Sequence, residues 1–390
     1  MSFDELIDRR RTHCSKWDKM ETLYGVSPED GLAMWVADMD FRPPKGVGQA
    51  VQDMVDHGVY GYYGSDAAYR SAIKWWMDTR HGWMIDPDWI FTSHGLVNGV
   101  ALCLDTYTDP GDEIVLFTPV YHAFHRVIRA SGREVLQCEL VNNAGRYEMD
   151  FSAYDAQVTD RTKMVILCSP HNPGGRVWTR DELQQVADFC KRHDLLLISD
   201  EIHHDLVYPD NKHVPMSTVD PQMTERLIMM TAATKTFNIA GSDVGNVIIE
   251  CPELRKRLAA RMSALGLSPN AFGLNMVTAA YTPEGAAWVD ELVEYLDANR
   301  KLFDAGINHI PGLSSMPLEG TYLSWVDFSG TGMAMSEMID RVQKHAKIAA
   351  SHGDTFGQGG ESFLRFNIAM PRRHIEMAVE RLQDAFSDLQ

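Results

Sequence analysis

Between residues 90 and 250 short apolar runs alternate with amphipathic helical stretches, and that alternation leaves few folds open. The runs are Glu113–Phe117, Met164–Cys168, Leu195–Ser199, Leu227–Met230 and Val247–Ile249. Strands this short and apolar, separated by helix-length segments, predict a mainly parallel sheet covered by helices on both faces, a three-layer α/β/α architecture. The clearest helix lies between the second and third runs. Thr179 and Glu182 read as a capping box, and Leu183, Val186, Ala187 and Cys190 follow at helical spacing. The chain ends differ in texture, with a Pro- and Trp-containing extended segment at Met34–Pro44 and a helix-rich tail beyond Glu284. They predict a smaller α+β domain of residues 1–45 and 284–390 beside a large domain of 46–283. Gly357, Gly359 and Gly360 read as a flexible loop.

Charge narrows the partners. With 54 acidic and 36 basic residues among 390, the net charge is -18, which repels nucleic acid and anionic membrane surfaces. The one basic stretch, Arg255, Lys256, Arg257 and Arg261, reads as a solvated helix face. Six cysteines without a CxxC pair, several inside apolar runs, read as buried reduced thiols. The first eleven residues mix acids and bases with no apolar leader, and no apolar run approaches the ~18 residues of a membrane span. A cytoplasmic location is the expectation.

In sheets of this kind ligands bind beyond the carboxyl ends of the strands. Three strand ends carry polar groups: Ser169 to Gly175, Asp200-Glu201, and Thr231 to Lys235. If the strands before Asn172 and Asp200 are parallel neighbours, both side chains emerge at one edge. A carboxylate after Leu195–Ser199 needs a cationic or hydrogen-bonding partner to offset its desolvation, and a pyridinium nitrogen would be one. Lys235, if buried beside cations, would have the depressed pKa that a Schiff-base lysine needs. Upstream, Thr92 to Asn98 opens an apolar helix whose first N–H groups suit a phosphate. A phosphate cradle, a carboxylate and a lysine together describe a pyridoxal 5′-phosphate site. Singly each has a plainer reading: a surface lysine, an N-cap or ion-paired aspartate, ordinary turns. Their order and shared position at strand ends give them weight.

These residues resemble the fold-type I pyridoxal phosphate enzymes of the class I/II aminotransferase superfamily, over nearly the whole chain. Trp35-Val36-Ala37-Asp38-Met39-Asp40-Phe41 with Pro43-Pro44, His171-Asn172-Pro173-Gly174-Gly175-Arg176-Val177-Trp178, Asp200-Glu201-Ile202-His203 and Thr234-Lys235-Thr236-Phe237-Asn238-Ile239-Ala240-Gly241 are similar to its cystathionine β-lyase (MalY/PatB) branch. The resemblance implies that Lys235 carries the cofactor as a Schiff base, Asp200 pairs with the pyridine nitrogen, Asn172 bonds the ring hydroxyl and Tyr121 stacks on the ring. Gly95, Leu96 and Val97 match the phosphate-binding helix start, and Tyr62 matches a tyrosine that reaches the neighbouring subunit's site, which implies a homodimer with active sites at the subunit interface. Arg365 matches the arginine that grips the α-carboxylate of an amino-acid substrate bidentately, and the Trp35–Phe41 segment, through Ala37 and Asp38, is placed at the substrate entrance. The plainer alternatives are core packing for Tyr62 and Tyr121, a structural salt bridge for Arg365 and a packing strand for Trp35–Phe41.

The sequence also departs from the superfamily. Where many aminotransferases carry a phosphate-binding serine and arginine, it has Ala232 and Asp243. An anion beside a phosphate is unfavourable, so Asp243 is expected to point elsewhere, with Thr231 and Thr234 supplying phosphate contacts. His203 stands where relatives have a tyrosine on the ring hydroxyl, and its role stays open. A metal site built on His122, His125, His203 and His204 is set aside, because no carboxylate or cysteine completes a recognisable ligand spacing. With the cofactor as electron sink and Lys235 as the base at Cα, the branch resemblance implies a carbon–sulfur β-lyase acting on cystathionine or a related cysteine S-conjugate. An aminotransferase, and a regulatory protein that retains the cofactor site, are the alternatives.

Overall fold

The computed structural model describes residues 3–389. Its main sheet has seven strands: β1 (Ile90–Ser93), β2 (Glu113–Thr118), β3 (Glu134–Glu139), β4 (Thr162–Cys168), β5 (Leu196–Asp200), β6 (Leu227–Thr231) and β7 (Gly245–Ile248). Their spatial order is β1-β7-β6-β5-β4-β2-β3. β7 runs antiparallel to both neighbours and every other pairing is parallel, so the expected mainly parallel sheet is observed. The central strands are largely apolar because both faces are covered. Along β4, Val165 and Leu167 enter one core while Met164 and Ile166 enter the other, the two-residue alternation of a pleated strand.

Helix α1 (Leu96–Tyr107) packs Val100, Cys103 and Leu104 against Ile114, Ile166 and Ile198 on one face. Helix α2 (Arg180–Arg192) buries Leu183, Val186, Ala187 and Cys190 in the other core, and its capping box forms in both directions, Glu182 N donating to Thr179 Oγ1 at 3.2 Å and Thr179 N to Glu182 Oε2 at 2.7 Å. The cysteines are free thiols, all buried except Cys14.

A second sheet contains β8 (Ser314–Ser315), β9 (Leu323–Asp327), β10 (Ser351–His352) and β11 (Phe363–Asn367), antiparallel in the order β8-β9-β11-β10. The extended segment after Leu32–Ala33 is laced between this sheet and the main one. Leu32 pairs with Ile348, Asn367 Nδ2 donates to the carbonyls of Val36 and Asp38 at 2.5 and 2.6 Å, and Asn238 Nδ2 donates to those of Met39 and Phe41 at 2.8 and 2.7 Å. Ala37 is thereby fixed between Arg365 on β11 and the turn that carries Lys235. The Gly357–Gly360 stretch, read from sequence as a flexible loop, is a packed turn. A Cβ on Gly360 would lie 2.1 Å from the Gly353 carbonyl oxygen, so the glycines allow backbone to meet backbone.

Candidate active site

Because β4, β5 and β6 are parallel neighbours in the register Cys168–Asp200–Met230, their carboxyl ends deliver Asn172, Asp200 and Lys235 to one edge. The start of α1 joins them from the far side of β7. Gly95 caps α1 with φ +75°, a left-handed value that glycine adopts without strain. Gly245 lets β7 approach that start, since a Cβ there would sit 2.6 Å from Leu96 Cδ2 and 3.0 Å from the Gly95 carbonyl carbon.

Ala37, Gly95, Leu96, Val97, Tyr121, Asn172, Asp200, His203, Thr234 and Lys235 line one cavity of about 250 Å³. Lys235 Nζ donates to the Ala37 carbonyl at 2.5 Å, which also accepts from Tyr322 Oη at 2.9 Å. Burial, helped by the charge of Arg365 and opposed by Asp38 and Asp200, pushes the Lys235 ammonium down to about 8. Asp200 is pushed up to about 7 by burial and by Glu201, although the Ile202 N–H donates to it at 3.1 Å. Its desolvation leaves it short of a donor. Burial also holds His203 neutral, well below the usual imidazole range, and no partner among the described residues reaches its Nδ1.

Arg365 touches the site from behind Asn172. It donates to Asn172 Oδ1 at 2.9 Å, to the Trp35 carbonyl at 2.7 Å and to Ser351 Oγ at 3.2 Å, and lies over the Phe356 ring. Burial lowers its pKa to about 10, so it stays charged. No ion pair to it forms among the described residues, and its Nε is buried without a partner. The structural salt bridge that sequence offered as the plainer reading is therefore absent.

Several expectations need correction. Thr231 does not face the cavity: it is the ladder partner of Asn246, whose Nδ2 donates to its hydroxyl at 3.2 Å. Asp38 follows Ala37 but turns its carboxylate to Arg9, at 2.8 Å. For Tyr62 only the plainer reading, core packing, falls: the side chain is fully exposed and lies outside this chain's own cavity. Asp243, expected to point away, is in the wall, its Oδ1 within 3.2 Å of a Cβ built on Gly95. One of the four histidines set aside, His204, does meet a carboxylate, with His81 as the third member: Asp205 lies between His81 at 2.8 Å and His204 at 3.2 Å, and the three offer ligand atoms within 4.8 Å of one another. Asp205 is already occupied by hydrogen bonds from Trp76 Nε1 at 3.0 Å and Thr236 Oγ1 at 2.7 Å. We read the group as a buried ion-paired network behind the Lys235 turn. Sequence reasoning missed it, although the density of polar groups directly after a fully apolar strand was a usable signal.

Arranged this way, a lysine of depressed pKa, a desolvated carboxylate held by one backbone N–H and a helix start share one pocket at the edge of a mixed sheet. The chain belongs to the aminotransferase class I and II family, whose model matches residues 32–382. Within the family it is 35% identical to the cystathionine β-lyase PatB of Bacillus subtilis (strain 168), over 99% of this chain and 100% of that protein. It is 32% identical to the protein MalY of Escherichia coli (strain K12), over 98% of each. The solved structure of cystalysin from Treponema denticola, which contains a pyridoxal 5′-phosphate cofactor, superposes with a TM-score of 0.94 at 35% identity, covering 100% of this chain and 99% of that one.

Proposed function

We propose that the protein is a pyridoxal 5′-phosphate-dependent carbon–sulfur β-lyase that splits cystathionine or a related cysteine S-conjugate, with water, into a thiol, pyruvate and ammonia. The observation that carries this reading is the pairing, in one cavity, of a lysine pushed down to about 8 with a carboxylate pushed up to about 7. The name of the PatB relative supplies the reaction type, and the cofactor contained in cystalysin supplies the chemistry. The donor set fits the cofactor. Asp200 would accept from the pyridine nitrogen, and this new donor would return it to its charged form. With Asn172 Oδ1 taken by Arg365, the Asn172 amino group and the unpartnered His203 Nδ1 would be left for the ring hydroxyl. The first N–H groups of α1 and the Thr234 hydroxyl would hold the phosphate, and Tyr121 would cover the ring.

When bound, the cofactor supplies an electron sink for a carbanion at Cα. Lys235 Nζ, in its free-amine form, would hold the cofactor, and it is the group placed to take the substrate's Cα proton. The Ala37 carbonyl restrains that amine. Arg365, with its Nε unused and no counter-anion, orients the substrate carboxylate. A coupled assay of pyruvate release from thioether amino acids, run beside a keto-acid-dependent transamination assay, tests the reading. Pyruvate release exceeding amino transfer is expected; the reverse would make the protein an aminotransferase.

We further propose a homodimer in which Tyr62 reaches the neighbouring subunit's phosphate, supported by the exposure of Val55, Val59, Tyr60 and Tyr62 on one segment. The proposed division into 46–283 and 1–45 with 284–390 is supported by the separate sheets. A cytoplasmic location is supported by the six free thiols; no described helix is long and apolar enough to cross a membrane.

A further inference from the structure

The cavity wall has a peculiar charge inventory. Lys235 is its one lysine or arginine, against two carboxylates, Asp200 and Asp243. Asp200 has a function in the proposed site; Asp243 has none. It sits at φ +51° after the short turn Ala240–Ser242, and this left-handed conformation is uncommon for a residue other than glycine. Its carboxylate is brought against the cap of α1, with Oδ1 3.2 Å from a Cβ built on Gly95. No ion pair holds it among the described residues. An anion in that position is attracted by the unpaired N–H groups of the helix start and repels any second anion that binds there.

We propose that Asp243 limits the affinity of the phosphate cradle, acting as a resident anion that the cofactor phosphate must displace or tolerate. The proposal rests on the cofactor reading above and adds regulation of that same site: the cofactor is held chiefly through Lys235, Asp200 and the ring contacts, and its phosphate adds less than a helix start normally would. The cofactor therefore exchanges readily, and the protein fills and empties with its concentration.

The phosphate separates this idea from a general effect on the pocket. Cofactor-free protein is titrated with pyridoxal 5′-phosphate and, separately, with pyridoxal, following the absorbance of the lysine adduct. Asp243→Asn and Asp243→Gly, both suited to a left-handed backbone, remove the charge. The expected result is about tenfold tighter binding of pyridoxal 5′-phosphate in both variants with pyridoxal affinity unchanged. Unchanged or weaker binding of the phosphate form would overturn the proposal, as would equal tightening of both ligands. If neither ligand gives an adduct with the wild-type protein or the variants, the cofactor reading itself fails and the proposal falls with it.

Discussion

At the scale of single residues, the site is a set of charges held where they are uncomfortable. Lys235 is pushed down to about 8 from its usual 10.5 chiefly by burial, so at pH 7 about a tenth of it is free amine. Such a lysine destabilises the cofactor-free fold. The unfolded chain binds its proton more tightly, so the cost is full below pH ~8 and vanishes above pH ~10.5. Lys235→Met is expected to raise the unfolding free energy of cofactor-free protein by about 2 kcal/mol at pH 7, allowing for water in the cavity. Urea denaturation at pH 7 and above pH 10.5 checks the sign, since the gain must shrink at the higher pH. Arg365 presents the same situation with opposite use. Arg365→Lys keeps a charge but loses the fork, and is expected to raise KM for the amino-acid substrate about 10- to 100-fold with a smaller change in kcat, as steady-state kinetics would show. Lys235, Asp200 and Asn172 were legible in sequence because each lies in the short polar stretch that ends an apolar run. Thr231 and Asp38 were misplaced because adjacent residues on extended chain face opposite ways, and no spacing rule decides which of two neighbours turns inward.

At the scale of elements, the turn carrying Lys235 is anchored from behind. Asp205 ties the helix Ala67–His81, through Trp76 and His81, to His204 and to Thr236, the residue after the lysine. The imidazole and hydrogen bonds hold the Asp205 carboxyl well below its usual range, and Asp205 raises His204. The Asp205 contribution is present above its ordinary value near 4 and is lost as pH falls below it; that of charged His204 is present below about 6.5 and is lost as pH rises through its raised value. Asp205→Asn is expected to cost about 3 kcal/mol in denaturant unfolding, with the largest deficit between about pH 4 and 6.5. Sequence patterning found β2, β4, β5, β6 and β7 but not β1 or β3. β3 is a half-exposed edge strand with glutamates at both ends, and β1 has four residues; neither forms an apolar run. The antiparallel direction of β7 was equally invisible, since an apolar strand reads the same in either direction.

At the scale of the molecule, the exposed Val55–Tyr62 segment and the proposed reach of Tyr62 make assembly part of cofactor binding. Sedimentation is expected to give a dimer, and Tyr62→Phe to leave the dimer intact while loosening pyridoxal 5′-phosphate about tenfold, the loss of one hydrogen bond to a charged group; a monomeric wild type that binds the cofactor tightly would contradict this. The sheet also imposes an order of events on synthesis. β1 is the first of the seven strands in the chain and pairs only with β7, the last, across 152 residues from Ser93 to Gly245. At ~5–20 residues per second on the ribosome, β1 waits on the order of 10 to 30 seconds for its partner, and Leu32 waits about twice as long for Ile348. A nascent chain stalled before Gly245 presents β6 with an unpaired edge of apolar strand, the kind of surface that recruits other chains. For this protein, the main sheet cannot close before β7 has left the ribosome.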